Sequence, residues 1–204
     1  VKYQEVLNFA QSMTENNSKV LVLFDFDGTI TSKDSMLEFV KFSKGNFLFY
    51  LSFVHLFPFW ILYLFGVLNA QKMKEKFLAY FFIGKTQDEL FRYGNEFCNQ
   101  RLPEICKPSA IEKIKFYKQG NCKIIVVSAS SKIWLQAWAI SMGLELICTE
   151  LEFHNQVFTG KILGKNCNGE EKVIRIKAFL NLSDFETIIA FGDSKGDLPM
   201  LALA

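Results

Sequence analysis

The sequence has little of several features that would point to particular classes of protein. Its five cysteines are odd in number and far apart, and they form no Cys-x-x-Cys pair. This distribution excludes a disulfide framework and a cysteine-rich zinc site, and it is typical of reduced thiols in a cytosolic protein. The net charge is only +2, which leaves no electrostatic case for nucleic-acid binding. The polar residues 1–19 show no secretory signal, and we expect them to begin with an amphipathic helix.

Hydrophobic residues, by contrast, are plentiful. They make up 50% of the 204 residues and include 22 phenylalanines. A chain of this length can bury a sizeable core, and it suits one domain with a smaller appended one. Neither an internal repeat nor a low-complexity linker divides it.

The most informative stretch is an apolar run, Val20 to Phe24, that leads directly into two carboxylates, Asp25 and Asp27. Five apolar residues without a helical period are typical of a strand buried on both faces. In an open α/β sheet, ligands bind at the carboxyl ends of the strands, and Gly28 lets the chain turn there. The stretch therefore predicts a metal-assisted site for an anion, although Asp and Gly are also ordinary residues of a simple acidic turn.

Apolar runs and helical patterns alternate along the rest of the chain. Further buried strands are expected over residues 123–127, 144–149 and 187–191, with a hairpin over 151–162. Helices are expected over residues 35–42, 72–83, 86–98, 109–119, 131–142 and 169–180. The pattern predicts an α/β fold, with a Rossmann-like three-layer parallel sheet core and an all-helical cap inserted after the first strand. The core is predicted to comprise residues 1–33 and 107–204, and the cap residues 34–106.

Two later strands also end in groups suited to phosphate or metal. One runs into Ser128, Ala129 and two more serines, which either cradle a phosphate at a helix N-terminus or simply cap that helix. The other runs into Asp193 and Asp197. Since the ends of parallel strands lie side by side, we expect these two acids to converge with the two acids of the first motif. Four carboxylates cannot share a small site in ionised form without a cation, and oxygen ligands favour Mg²⁺.

Together these motifs resemble those of the haloacid dehalogenase superfamily, in its phosphoserine-phosphatase-like branch (subfamily IB). Four motifs stand in order from about residue 20 onward: Asp25-Phe-Asp27-Gly-Thr29, then Ser128 after a buried strand, then Lys172 in Gly-Glu-Glu-Lys, and Gly192-Asp193-Ser-Lys-Gly-Asp197. Taken alone, Lys172 is typical of a solvated surface lysine. The helical insert directly after the first motif resembles the cap of this branch.

The resemblance implies a Mg²⁺-dependent phosphatase that acts on a small phosphorylated substrate through an aspartyl-phosphate. Asp25 would be the nucleophile, and Asp27 would protonate the leaving alkoxide and later deprotonate water. Ser128 would hydrogen-bond the phosphoryl oxygens, and Lys172 would offset their charge. The other implied positions are the metal ligands, which are Asp25, the backbone carbonyl of Asp27, Asp193 and the supporting Asp197, and the phosphate-binding backbone groups at Gly28, Thr29 and Ala129.

The sequence departs from the phosphoserine phosphatases in the region that would recognise serine. Asp34 stands nine residues after the implied nucleophile, where those enzymes carry an acid, but the cap near residues 70–77 offers Lys72, Lys74 and Lys76 and no arginine. A lysine cannot make the two-pronged bond to a carboxylate that an arginine makes. One alternative is a lipid phosphate substrate, because bacterial phosphatidylglycerophosphatase C belongs to the branch that this chain resembles and similarly carries an apolar stretch after its first motif. Another is a non-catalytic relative that binds a membrane or a partner.

Residues 47–68 contain no Asp, Glu, Lys or Arg over 22 residues, which is long enough for a membrane span. A single span would place the first motif and the later ones on opposite sides of the bilayer, and two spans would need about 40 apolar residues. Pro58, with the polar Ser52 and His55, instead predicts two short helices joined by a bend. They are either buried in a soluble cap or lie against a membrane surface as a hairpin. His55 is expected to be a hydrogen-bonded core residue, and the protein to be cytoplasmic, with membrane association through residues 47–68 as the alternative.

Overall fold

The computed structural model describes residues 19–204, so the helix expected near the N-terminus lies outside the described residues. The strands, numbered in chain order, are β1 (Val20–Phe24), β2 (Lys123–Ser131), β3 (Glu145–Thr149), β4 (Leu151–His154), β5 (Val157–Ile162) and β6 (Thr187–Phe191). The helices are α1 (Ser35–Lys44), α2 (Asn46–Leu64), α3 (Ala70–Phe82), α4 (Gln87–Gln100), α5 (Leu102–Ile105), α6 (Pro108–Gln119), α7 (Lys132–Met142), α8 (Glu170–Phe179) and α9 (Leu198–Leu201). Short 3₁₀ turns cover Leu182–Asp184 and Lys195–Asp197.

Within the described residues, four parallel strands form one sheet in the order β3-β2-β1-β6. The strand β1 is central, and its two faces are buried in separate hydrophobic clusters. Leu21 and Leu23 lie in one of them with Val127, whereas Val22 and Phe24 lie in the other. The predicted α/β fold with a parallel sheet is therefore confirmed, and the apolar run is buried on both faces as predicted. The carboxyl end of β1 lies between those of β2 and β6.

The strand β2 is longer than the sequence predicted. It continues past Val127 to Ser131, because Ser128 pairs with Cys148 and Ser131 pairs with Thr149 across an irregular step in the register. Pairing with β3 therefore holds the serines in extended backbone, and only Ser131 caps the following helix, by accepting a hydrogen bond from the backbone N–H of Ile133. The hairpin expected over residues 151–162 is present as β4 and β5.

Along the chain, helices α1 to α5 form an insert between the strands β1 and β2. A capping box of Thr86 and Glu89 is present at the start of α4. The chain enters and leaves this insert side by side, because the backbone N–H of Ser32 bonds the carbonyl of Ile105 at 2.8 Å and Thr31 bridges Cys106. A division of the chain into a core domain and a cap domain stays a prediction.

The helix α2 corrects two predictions. It is one continuous helix that contains Pro58, not two helices with a bend. A proline removes one backbone hydrogen bond, and the apolar residues on both sides of it have no polar group that competes for the others. Of this helix, only Phe49, Ser52 and Leu56 are buried, so it does not lie inside the cap. His55 is exposed rather than in the core, and its Nδ1 atom lies 2.9 Å from the Tyr80 hydroxyl.

Among the described residues, α2 is the helix that is long and apolar enough to cross a membrane. Its mean hydropathy is 1.8, and 17% of it is buried against the rest of the protein. Length and composition alone qualify it, and the core helices of soluble proteins can pass the same test. Unlike most core helices, however, α2 leaves most of its apolar side chains uncovered.

Candidate active site

Three carboxylates meet at the carboxyl ends of β1 and β6. Asp25 directly follows β1, and its backbone N–H bonds the carbonyl of Phe191 at 2.8 Å, which ties the two strand ends together. Asp25, Asp193 and Asp197 each offer an oxygen, and these oxygens lie within 4.8 Å of one another. Asp25 and Asp197 are buried, whereas Asp193 is exposed. Such a group of oxygen ligands is suited to a hard divalent cation.

The buried lysine Lys172 lies against this group. Its ammonium donates to Asp25 at 2.6 Å, to Asp197 at 2.5 Å and to the carbonyl of Val127 at 3.0 Å. The side chain is 1% exposed, so its interpretation as a solvated surface lysine is wrong. An ammonium buried between two carboxylates supplies the positive charge without which neither could stay ionised away from water.

The electrostatics follow from this arrangement. Burial raises the pKa of Asp25 to about 6, although the positive charge of Lys172 opposes the rise. Burial also disfavours ionised Asp197, but the hydrogen bonds from Lys172 and Ser194 outweigh it and hold the pKa of Asp197 below its usual value. The pKa of Lys172 is raised by its two carboxylate partners in spite of its burial. Near neutral pH, the cluster therefore holds ionised carboxylates around one ammonium.

The carboxylate of Asp27 lies apart from the other three. It accepts hydrogen bonds from the backbone N–H of Ser35 at 2.6 Å and from the hydroxyl of Ser130. Burial and the nearby charge of Asp34 raise the pKa of Asp27. The sequence-based expectation that four carboxylates converge therefore holds for three of them. The role of the Asp27 backbone carbonyl as a metal ligand stays a prediction.

Two serines that hold Asp27 were not singled out from the sequence. Ser35, at the start of α1, and Ser130, in β2, also bond each other through their hydroxyls at 2.9 Å. The indole N–H of Trp134 donates to the Ser35 hydroxyl at 3.1 Å. The signal available in the sequence was the serine run after the second strand, but nothing in it distinguished Ser130 from its neighbours. The network joins the insert to the sheet at Asp27.

The residues predicted to bind phosphate lie next to Asp193 and Ser130. Ser128 is buried at the end of β2, and its hydroxyl accepts a hydrogen bond from the backbone N–H of Ser130 at 3.0 Å. Thr29 donates to Asp193 at 3.3 Å. Gly28 has φ +84°, and a Cβ at this position would lie 2.1 Å from an oxygen of Asp193. The turn after β1 therefore requires glycine for both conformation and space.

The helix α3 contributes a lysine that the sequence only grouped with two others. The ammonium of Lys74 donates to the carbonyl of Ala129 at 2.6 Å and to the side-chain oxygen of Asn166 at 3.1 Å. Burial lowers the pKa of Lys74 to about 8, although Asp34 and Asp27 oppose the change. Lys72 instead pairs with Glu75 on its own helix, and Lys76 lies over the ring of Phe59. Lys74 is therefore the cap lysine that reaches the predicted phosphate site.

The donor set fits Mg²⁺. All three clustered ligands are carboxylates, and Mg²⁺ prefers oxygen ligands and keeps several waters when only a few protein groups bind it. Asp193 is exposed, and its carboxylate accepts a hydrogen bond from Thr29. The carboxylate oxygens of Asp193 are therefore accessible to an ion. The Lys172 ammonium offsets part of the negative charge, and a divalent cation would offset the rest.

The parallel sheet, the helical insert after its first strand and the acid–lysine cluster define a class of Rossmann-like hydrolases. The chain belongs to the haloacid dehalogenase-like hydrolase family, whose model matches residues 22–202. It is 32% identical over 190 residues to Protein CicA of Caulobacter vibrioides, and the match covers 91% of this chain and 83% of that protein. The family makes the chain an enzyme of the hydrolase class.

Solved structures share the fold. A protein of unknown function from Bordetella pertussis Tohama I superposes with a TM-score of 0.77 at 22% identity, covering 91% of this chain and 86% of that one. A structure described as the phospho-aspartyl intermediate analogue of phosphoserine phosphatase superposes with a TM-score of 0.56 at 22% identity, covering 92% of this chain and 84% of that one. The chain thus shares its fold with a phosphoserine phosphatase.

Proposed function

We propose that the protein is a Mg²⁺-dependent phosphomonoester hydrolase that acts through an aspartyl-phosphate on Asp25. The observation that carries this proposal is the separation of the two acids of the first motif. Asp25 lies in the cluster with Lys172 and two further carboxylates, whereas the carboxylate of Asp27 is held next to the insert. This separation supports Asp25 as the nucleophile beside the proposed cation site and Asp27 as the acid and base that would serve the leaving group.

The reaction takes two steps in this arrangement. An oxygen of Asp25 attacks phosphorus, the bond from phosphorus to the leaving oxygen breaks, and Asp27 gives its proton to that oxygen. Asp27 then takes a proton from water, the water oxygen attacks phosphorus, and the bond to Asp25 breaks to release phosphate. Burial raises the pKa of Asp27, which favours the protonated form that the first step needs.

The other site residues stabilise charge on the transferred group. Lys172 offsets the negative charge of Asp25 before the attack and that of the phosphoryl oxygens during it. The hydroxyl of Ser128 donates a hydrogen bond to one of those oxygens. The backbone N–H groups of Gly28, Thr29 and Ala129 complete the cradle. The clustered carboxylates of Asp25, Asp193 and Asp197 would hold Mg²⁺, which would supply further positive charge to offset that of the phosphoryl oxygens. Positioning and charge stabilisation are most of what phosphoryl transfer requires.

The test is phosphate release from an aryl phosphate with and without Mg²⁺, together with covalent labelling. Radiolabelled phosphate should remain on the acid-quenched wild-type protein and be absent from Asp25→Asn. The matched control is Asp184→Asn, which changes an acid of the 3₁₀ turn outside the site and should label and turn over as the wild type does. Wild-type turnover by Asp25→Asn would overturn the proposed mechanism. An absence of turnover on any ester would favour the non-catalytic alternative.

For the substrate, the cap argues against plain serine recognition. The carboxylate of Asp34 accepts a hydrogen bond from the backbone N–H of Leu37 at 3.0 Å and so caps α1. The cation that faces the site from α3 is Lys74, which cannot form a fork with a carboxylate. We therefore hold phosphoserine and a lipid phosphate as the two candidates, and the exposed helix α2 favours the second.

We propose further that α2 contacts a membrane surface from the cytoplasmic side. Phe47, Val54 and Phe57 are 78%, 70% and 61% exposed, and no acidic residue lies between 46 and 64 to repel an anionic bilayer. Exposed apolar patches of this kind mark interaction sites. Lys41 and Lys44 lie in the last turn of α1, next to the start of α2. Lysines beside an apolar surface add attraction to anionic lipids.

Sedimentation with anionic vesicles tests this contact. The wild type is expected to pellet with them, and the double variant Val54→Asp/Phe57→Asp to stay in the supernatant. Ile140→Asp is the control, because Ile140 is an equally exposed apolar residue, 67% exposed, that lies on α7 and not on α2. Equal binding by all three proteins, or no binding by the wild type, would remove the membrane proposal and leave the phosphatase proposal intact.

A further inference from the structure

The insert contains a cleft that the reaction described above does not use. It lies between α1, α2 and α3 and has a volume of about 420 Å³, which is in the range of small-molecule sites. Its walls are mainly apolar and include Leu37, Phe53, Trp60, Met73 and Phe77. These apolar side chains offer no partner for the ammonium and carboxylate of phosphoserine, which would lose water against them.

Two charged residues join this cleft to the candidate active site. Asp34 and Lys74 both line it. Burial and the charge of Asp34 raise the pKa of Asp27, and the charges of Asp34 and Asp27 oppose the fall that burial causes in the pKa of Lys74. Lys74 also bonds the carbonyl of Ala129 in the predicted phosphate cradle. The cleft therefore begins where the leaving oxygen of the substrate would stand, beside Asp27.

We propose that this cleft binds the leaving group, and that the substrate is the phosphomonoester of an amphiphilic alcohol with a hydrocarbon portion. The inference rests on the proposed phosphatase function. The phosphoryl group lies beside the paired Asp25 and Lys172, the ester oxygen faces Asp27, and the hydrocarbon portion enters between α1, α2 and α3. Lys74 stands at the neck, where two of the three N–H groups of its ammonium have the partners named above. The third would donate to an oxygen next to the ester bond.

The experiment measures kcat/KM for ethyl, butyl, hexyl and octyl phosphate below their micellar concentrations, with phosphoserine in parallel. Burial of each further methylene should raise kcat/KM about fourfold until the cleft is filled. Octyl phosphate should then exceed both ethyl phosphate and phosphoserine. These short-chain esters need no bilayer, so they separate binding in the cleft from adsorption of α2 to a membrane. A lipid monoester in mixed micelles distinguishes a lipid source of the chain from a small soluble one.

The variant Ala70→Phe tests the location, because Ala70 lines the cleft and an added ring would occupy it. Its octyl-to-ethyl ratio of kcat/KM should fall at least tenfold. The ratio is taken within one protein, so it does not depend on how much of the variant is folded. The matched control is Ala178→Phe, which places the same ring on the exposed face of α8 and should keep the wild-type ratio.

Binding without turnover provides a second readout. Octylphosphonate, which cannot be hydrolysed, should bind at least tenfold more tightly than ethylphosphonate and change the fluorescence of Trp60, and the change should be lost in Trp60→Phe. Equal affinity for the two phosphonates, a flat chain-length series or an unchanged ratio in Ala70→Phe would each overturn the cleft proposal. Phosphate release with a flat series would leave the phosphatase proposal standing. Preferential binding of octylphosphonate without phosphate release from any ester would support binding in the cleft and overturn the phosphatase proposal.

Discussion

At the scale of single residues, Lys172 balances the negative charge of two buried carboxylates. Its ammonium is buried against two carboxylates, and removal of one partner of a buried ion pair leaves the other charges uncompensated. Lys172→Met should therefore lower the free energy of unfolding by about 3–5 kcal/mol, measured by urea denaturation without metal. Lys177→Met, on the exposed face of the same helix, should change it by less than about 0.5 kcal/mol. Equal effects of the two variants would mean that the cluster is not ionised.

A second prediction at this scale concerns alanine substitution of Gly28, with the same substitution of Gly84 as the control. Both glycines have positive φ, +84° and +79°, but an added Cβ meets Asp193 at the first and open space at the second. Alanine at either position should cost about 1–2 kcal/mol of stability for the backbone conformation. Only Gly28→Ala should also weaken Mg²⁺ binding and turnover, because it displaces the Asp193 carboxylate. Isothermal titration with Mg²⁺ checks this, and equal affinity in the two variants would contradict it.

The site residues differ in how visible they are in the sequence. Asp25, Asp193 and Asp197 could be predicted to meet because each follows an apolar run that forms a strand, and parallel strands end at one edge. The prediction that both strands are buried holds for β1 but not for β6, which is half-buried to exposed. The hydrogen bonds of Asp27 could not be predicted, since they depend on how α1 packs on β2. The same holds for Lys74, because the direction of its side chain depends on how α3 is rotated about its axis. Residues fixed by topology are thus readable from the sequence, and residues fixed by packing between elements are not.

At the scale of elements, a buried acid joins α1 to the end of α4. Glu38 accepts hydrogen bonds from Arg101 at 2.6 Å and 3.0 Å and from Lys41 at 3.1 Å. Burial disfavours the ionised form, but these bonds outweigh it and hold the pKa of Glu38 below its ordinary value of 4.5. The carboxylate therefore stabilises the insert through contacts between its helices.

Glu38→Gln should lower stability by about 1–3 kcal/mol at pH 7. Because the pKa of Glu38 is lower in the folded protein than in the unfolded one, its contribution is fully present above about pH 4.5 and is lost as the pH falls below that value. Urea denaturation at pH 7 and pH 3.5 should show the difference between wild type and variant shrink. Glu104→Gln is the control, because Glu104 also pairs with Arg101 but its side chain is 60% exposed. That control should change stability by less than about 0.5 kcal/mol at either pH.

The helix α2 shows where element prediction fails. A proline within an apolar stretch suggested a bend, but sequence alone does not reveal whether neighbouring residues can keep their helical hydrogen bonds around it. Its lack of charge predicted burial in the cap or in a membrane surface, and the structure leaves most of it uncovered. Periodicity reports the environment of a helix, and α2 has no polar face from which the direction of its packing could be read.

At the scale of the whole molecule, the sheet and the insert meet at the site, so binding there should stabilise the entire described fold. The three clustered carboxylates come from the first and last parts of the sheet, and Lys172 comes from α8 between them. A cation held by these groups binds the folded chain and not the unfolded one, because unfolding separates the ligands in space. The proposed metal site is therefore coupled to global stability.

Mg²⁺ at about 100 times its dissociation constant should raise stability by about 2.7 kcal/mol. For a chain of this size, that corresponds to a rise in Tm of about 5–10 °C. Asp193→Asn should abolish the rise, because it removes a carboxylate ligand. The Tm without metal should stay close to that of the wild type, because Asp193 is exposed and its carboxylate accepts a long hydrogen bond, 3.3 Å, from Thr29. Asp184→Asn should retain the full rise. Differential scanning calorimetry across a Mg²⁺ series decides between these outcomes. A rise that is the same in Asp193→Asn would show that Mg²⁺ binds elsewhere, since a cation held at the sheet edge cannot be indifferent to the loss of an accessible carboxylate there.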